Sequence, residues 1–234
     1  MAEKIEKFLH GKISIRSGKA HIPKVIRKEL DDEGARVAQI GPAGEKLVRF
    51  ACVMHDVTRA AGRTGLGAVM GSKKLKAIAV RGSKAPEVAD QEKLRELSAW
   101  LVQNVENLVR NLHLYGTGAA MDVGLQTGNL PVDNFRGDPF PNVMEIDAKT
   151  LKEKYGIRMD TCFACPIACK KVVRVEEQWN VDPDYGGPEY ETLAALGSNC
   201  GIDDLAAICK GNELCNAYGM DTISTGATIA FEME

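Results

Sequence analysis

Three cysteines, Cys162, Cys165 and Cys169, stand in the run Thr161-Cys162-Phe163-Ala164-Cys165-Pro166-Ile167-Ala168-Cys169-Lys170, a CxxCxxxC spacing. Three thiols this close constrain the chain more than any other feature. As thiolates they repel one another, and a soft metal centre offsets the cost of holding them together. An iron–sulfur cluster and zinc are the two main candidates, and a site without metal is the bland one. Zinc sites often use two CxxC pairs, and the chain has no second CxxC. A redox dithiol at Cys162 and Cys165 is disfavoured by the neighbouring Cys169. Haem attachment needs histidine after Cys165, where Pro166 stands. Cys52, Cys200, Cys209 and Cys215 are scattered, and cysteine so placed is usually a small buried hydrophobe.

The 234 residues suffice for one large domain or two smaller ones. A net charge of −2 points to neither nucleic acid nor an anionic membrane surface as the main partner. Residues Met1 to Lys12 are charged and lack the apolar segment of a signal peptide. No apolar run is long enough to span a bilayer. With clustered cysteines, this favours a reducing cytoplasm and metal binding over disulfides.

The first 82 residues read as strand and turn. Val37 to Ile40, Leu47 to Met54 and Leu75 to Val80 are strand candidates, and Gly41-Pro42-Ala43-Gly44 is a turn signal. The strands before Leu47 lack evident partners. From Pro86 the pattern turns helical: Leu94, Leu97, Leu101, Val105, Leu108 and Leu112 mark one apolar helix face. Further helices are expected at Leu151 to Tyr155, Pro188 to Asn199, from an Asp203 cap to Tyr218, and from Thr225 onward, with a brief strand at Val172 to Val175.

Three more segments carry chemistry. Arg59 to Lys73 holds four glycines among basic residues; glycine lets backbone N–H groups approach an anion and arginine grips phosphate in bidentate fashion. It is not a P-loop, and a tight structural loop is an equal alternative. Gly187-Pro188-Glu189-Tyr190-Glu191 offers acidic residues at a helix start, either complementing the dipole or serving as general acid or base. Asn216 to Asp221 reads as a helix C-cap at Gly219 followed by an N-cap at Asp221. His10, His21, His55 and His113 are scattered and read as surface residues.

Taken together, Ile40-Gly41-Pro42-Ala43-Gly44-Glu45, Arg59 to Lys73, the cysteine run, Gly187 to Glu191 and the Asp221 segment resemble the tungsten-dependent aldehyde:ferredoxin oxidoreductase family, from about Ile40 onward. The resemblance implies tungsten or molybdenum held by two pterins, Mg2+ joining the pterin phosphates, and a [4Fe–4S] cluster nearby. It implies oxidation of aldehydes to carboxylic acids with ferredoxin as electron acceptor. Cys162, Cys165 and Cys169 then match three cluster ligands, with the fourth far downstream. Arg59, Ala60, Gly62 and Arg63 match the pterin-phosphate loop, with the Ala60 carbonyl helping to bind Mg2+. Glu189 or Glu191 matches an acidic residue beside the metal. Asn216, Met220 and Asp221 fall in a pterin motif whose first acidic position is here Asn216. Relatives acting on other substrates, including aromatic-ring reductase subunits, and a non-catalytic iron–sulfur module are the alternatives. The family's members are far longer, so the expectation is an internal piece of such an enzyme, inactive and unstable alone, with a complementary chain carrying the rest. The expected fold is α+β: the tail of a β-rich, pterin-cradling domain over 1–85, then an α-helical domain over 86–234.

Overall fold

The computed structural model describes residues 22–234, apart from 85, 138 and 177. His10 and His21 lie outside the described residues. The fold is mixed α+β, as expected.

Helix α1 (Ile22–Leu30) precedes strand β1 (Arg36–Ile40), the one-turn helix α2 (Pro42–Glu45), β2 (Val53–His55), β3 (Arg59–Ala61), α3 (Leu66–Ser72) and β4 (Ala77–Val80). The four strands form one antiparallel sheet in the order β3-β2-β1-β4. Strand β1 is therefore central, pairing Ala38 with His55 on one side and with Ile78 on the other. This corrects the expectation that strands before Leu47 lack partners, because later residues fold back to supply both neighbours. Side chains alternate across a strand. Val37, Ala77 and Ala79 pack with Ile22 and Ile26 of α1, while Ala38, Ile78 and Val80 face a large cavity.

The expected strand over Leu47 to Met54 is realised only from Val53. Leu47 sits at φ 59, in the left-handed region. The backbone at 50–52 pairs instead with the helical half: Cys52 N–H donates to Gly219 O at 2.8 Å, and Asp221 N–H to Phe50 O at 3.1 Å. The Gly41 to Gly44 turn is the start of α2, with Pro42 in its first turn. Part of the glycine-rich segment is helix α3, pressed on α2 so closely that a Cβ on Gly71 would collide with the Gly44 carbonyl.

The second half opens with α4 (Gln91–Tyr115), capped by Asp90, which accepts from Lys93 N–H at 2.9 Å. Helix α4 kinks at Val109. Of its expected apolar stripe only Val105 is buried, and Leu94, Leu97 and Leu108 are exposed. The other elements are α5 (Met121–Gln126), α6 (Ala148–Tyr155), a two-stranded antiparallel sheet of β5 (Gly156–Asp160) and β6 (Lys170–Val173), α7 (Tyr190–Leu196), α8 (Leu205–Tyr218) and α9 (Thr222–Met233). Their core gathers Met121, Ile146, Leu151, Val173, Leu193 and Ile208.

Caps decide several boundaries. Helix α7 is shorter than expected: Glu189 is its N-cap and Gly197, off helical geometry, ends it. Helix α8 is capped by Asp204, which accepts from Ala207 N–H at 3.0 Å, whereas Asp203 accepts from Asn142 at 2.6 Å. Helix α9 starts at Thr222 rather than Thr225, from the expected Asp221 N-cap, which accepts from Ser224 N–H at 2.7 Å. No helix among the described residues is long and apolar enough to cross a membrane.

Candidate functional site

The cysteine run forms the loop between β5 and β6. Ala164 (φ 53) and Ala168 (φ 51) are left-handed, so the chain reverses between successive cysteines. Cys165 N–H donates to Cys162 O at 3.1 Å, and the Thr161 hydroxyl donates to Cys165 O. Cys162 is exposed, and Cys165 and Cys169 are half-buried. Burial, then the nearby Glu189 carboxylate, raises the Cys169 thiol pKa, and Cys162 and Cys165 push the same way. Cys169 thus senses both other thiols, and Lys171 lies close enough to feel its charge.

The fit to a metal group follows from this donor set. No three His, Cys, Asp or Glu side chains among the described residues are gathered so as to hold one ion. Three thiols strung along one loop suit a polynuclear cluster better, since each thiolate there takes its own iron. The other four cysteines are buried. Burial lifts Cys52 and Cys209 to about 12 and Cys215 to about 11, as expected of core residues.

The glycine-rich segment meets the cysteine loop through Arg59. Its guanidinium donates to Thr161 O at 2.8 Å and to Thr58 Oγ1 at 2.6 Å. Arg59 and Cys162 line the same cavity, about 940 Å³, together with Arg36, His55 and Ile78 of the sheet that carries Arg59. Ala60 and Arg63 are exposed nearby in sequence, and Gly62 approaches Asp221, whose Oδ1 lies 3.2 Å from where a Cβ on Gly62 would stand. The chain therefore brings the Arg59 to Arg63 segment onto both the cysteine loop and the Asp221 turn. Arg27 and Arg36 of this cavity pair with Asp56, each at 3.3 Å, and it is Arg59 beside the exposed Cys162 thiol that suits an anionic group next to a metal centre.

The Asn216 to Asp221 segment is partly engaged by the fold. Asn216 Nδ2 donates to Tyr185 O at 2.9 Å, Met220 bridges to Ala51, and one carboxylate oxygen of Asp221 is the α9 cap.

Glu189 and Glu191 part company. Glu191 is exposed. Glu189 is built into a polar cluster that sequence reading missed. Its Oε2 accepts from the Thr117 hydroxyl and from Lys171 Nζ at 3.3 Å. Lys170 Nζ lies 3.1 Å from Oε1, an ion pair without the geometry of a directed hydrogen bond. Burial raises the Glu189 pKa, but Lys171, Lys170 and Thr117 outweigh it, and the carboxyl ends below its ordinary value. The side chain of Lys171 is 2% exposed, and burial lowers its pKa against the pull of Glu189. Lys170 and Lys171 directly follow Cys169, so the carboxylate is tied to the cysteine loop. Helix α4 ends on the same loop: a Cβ on Gly116, at φ 70, would strike Cys169 O, and His113 Nδ1 donates to Ile167 O at 2.7 Å. His113 is thus half-buried against the loop rather than a surface residue.

The family description "Aldehyde ferredoxin oxidoreductase, domains 2 & 3" matches residues 94–234, and "Aldehyde ferredoxin oxidoreductase, N-terminal domain" matches residues 15–82. The chain belongs to the aldehyde ferredoxin oxidoreductase family. The likeness thus starts well before Ile40. The tungsten-containing aldehyde ferredoxin oxidoreductase of Pyrococcus furiosus is 45% identical over 89% of this chain and 34% of its own length. That of Thermococcus kodakarensis is 44% identical over 89% and 34%. The aliphatic sulfonate oxidoreductase WOR-like subunit of Pyrococcus furiosus is 33% identical over 83% of this chain and 31% of its own. Among solved structures, the active site complex BamBC of benzoyl coenzyme A reductase with 1,5 dienoyl-CoA superposes with a TM-score of 0.68. It is 26% identical, over 90% of this chain and 33% of that one. The chain spans about a third of the length of the curated aldehyde ferredoxin oxidoreductases it matches.

Proposed function

We propose that the chain supplies part of a tungsten or molybdenum bis-pterin oxidoreductase that converts aldehydes to carboxylic acids. The overall reaction consumes one water and releases two protons and two electrons per aldehyde, and a [4Fe–4S] cluster held by the cysteine loop would supply one-electron transfer to ferredoxin. The observation that carries this reading is that Arg59 and Cys162 line one cavity and that Arg59 donates to Thr161 O at the head of the cysteine run, in a chain of this family. In this reading Cys162, Cys165 and Cys169 hold three corners of the cluster. Arg59 and Arg63 would neutralise pterin phosphates, Gly62 would leave room for them, and the Ala60 carbonyl would help hold Mg2+. Asn216, Met220 and Asp221 close the pterin side. The bound metal supplies the two-electron oxidation. Glu189 rather than Glu191 is the acid or base, because only Glu189 is held in a fixed charged environment. The β-rich part to residue 85 then cradles pterin, and the helical part from 86 carries the cluster. The protein would work in a reducing cytoplasm, with the remaining two-thirds of a typical relative supplied by further polypeptide.

A second reading keeps the cofactors and changes the substrate. The names of the sulfonate oxidoreductase subunit and the benzoyl coenzyme A reductase complex favour it, since neither is named for an aldehyde. Metal analysis of protein purified without oxygen, with tungsten supplied during expression, tests both. Iron together with tungsten or molybdenum is the expected result. Iron alone would favour the non-catalytic iron–sulfur module, and zinc in place of both would overturn every version. Arg59→Ala should lower bound tungsten and pterin several-fold while leaving the circular dichroism spectrum unchanged, because the side chain sits at the cavity rather than in the core. Unaltered occupancy would remove Arg59 from the cofactor site.

A further inference from the structure

We propose that Thr117 is a positioning residue, whose hydroxyl frees the Glu189 side chain from helix capping and aims its carboxylate at the cysteine loop. Glu189 occupies the N-cap position of α7, where a carboxylate ordinarily accepts a backbone N–H of the first turn. It makes no such bond. Thr117 Oγ1 accepts the Tyr190 N–H instead, at 2.9 Å, and donates its own proton to Glu189 Oε2. Lys171 Nζ lies 3.5 Å from the same Oγ1 and donates to Thr117 O at 2.9 Å. A hydroxyl has one proton to give and two lone pairs to offer, and here all three are engaged. Thr117 lies just beyond α4, Glu189 at the start of α7, and Lys170 and Lys171 on β6, so one hydroxyl joins three elements. The groups facing the carboxylate are Thr117, Lys171, Lys170 and the Cys169 thiol.

The inference rests on Glu189 being the acid or base of the proposed reaction, but its test does not. In the 234-residue chain, carbon NMR of the Glu189 carboxyl at one fixed neutral pH reports the hydrogen bonds the carboxylate accepts. Thr117→Val keeps the shape and removes the hydroxyl, and should shift that resonance. The Tyr190 amide should exchange about tenfold faster with its acceptor gone. Thr117→Ser, which restores the hydroxyl, should return both to their original values. A Glu189 resonance unmoved in Thr117→Val overturns the positioning role. If Thr117→Val fails to fold, the unsubstituted chain decides. Its Thr117 hydroxyl proton should exchange slowly; fast exchange at neutral pH overturns the proposal. Should Glu189→Gln leave turnover of the loaded full-length enzyme unchanged, the acid–base reading of Glu189 falls while the Thr117 result stands.

Discussion

Cys165→Ser is expected to strip the anaerobically prepared protein of its brown iron–sulfur absorbance, and of the low-potential paramagnetic signal of its reduced form. Cys165 is the middle thiol of the loop, between the left-handed turns at Ala164 and Ala168. Serine keeps the shape but offers an alkoxide, a far poorer ligand for iron than thiolate. Cys162→Ser and Cys169→Ser should act alike, because three ligands from one loop form a unit. Cys209→Ser is the control. That side chain is fully buried in the helical core and its thiol sits at about 12. It should cost stability without touching iron content. Iron and absorbance surviving each of the three loop substitutions would end the cluster assignment.

What the sequence makes legible is what depends on neighbours along the chain. The long α4, α8 and α9 helices follow from their apolar spacing and from Asp and Gly caps, with errors of a few residues at their starts. Two acidic residues in a row, Asp203 and Asp204, offer rival caps, and the choice falls to a tertiary bond from Asn142 to Asp203. Strands of three to five residues are less legible. Residues 50–52 look like strand, yet their backbone bonds go to 219–221, about 170 positions away.

The candidate site divides along the same line. Its cysteines and arginines stand in compact runs that spacing singles out, whereas the helix start at Gly187 to Glu191 offers Glu189 and Glu191 alike. Thr117 and Lys171 could not, because Thr117 acts across 54 to 73 residues of chain and Lys171 across 18 and 54. One signal did exist for Lys171: a charged residue heading the strand pattern Lys170–Val173, directly after the third cysteine. The Gly116-Thr117-Gly118 run was another, since two glycines around a hydroxyl mark a close backbone approach. The glycine-rich segment shows the converse. Its four glycines read equally as a phosphate loop or a tight structural one; Gly67 and Gly71 serve the packing of α3 on its neighbours, and Arg59 alone of the segment lines the cavity.

Lys171→Met should destabilise the chain by about 3 kcal/mol, as breaking a buried ion pair does. The lost ammonium leaves Glu189 with Lys170 and Thr117 only, and leaves Thr117 O without its 2.9 Å donor. Methionine fills much of the same volume, so the cost is one of charge and hydrogen bonding rather than of a cavity. The pH dependence identifies the cause. Glu189 has a folded pKa held below its ordinary 4.5, so it contributes stability above that value and loses it as pH falls through the folded pKa. Lys171 has a folded pKa below its ordinary 10.5, so its charged form opposes folding, and that opposition eases as pH rises through the folded pKa. Between neutral pH and the carboxylate range only the Glu189 contribution changes. The variant should therefore lose less stability on acidification than the unsubstituted chain, because part of what protonation removes is already gone. Replacing both partners, as Lys171→Met with Glu189→Leu, should recover much of the loss, since no charge is then left buried without its counter-ion. Urea midpoints at pH 7 and pH 4 for the three proteins are sufficient. A single variant within about 1 kcal/mol of the original at pH 7, with an unchanged acid slope, would mean that solvent rather than Glu189 neutralises Lys171.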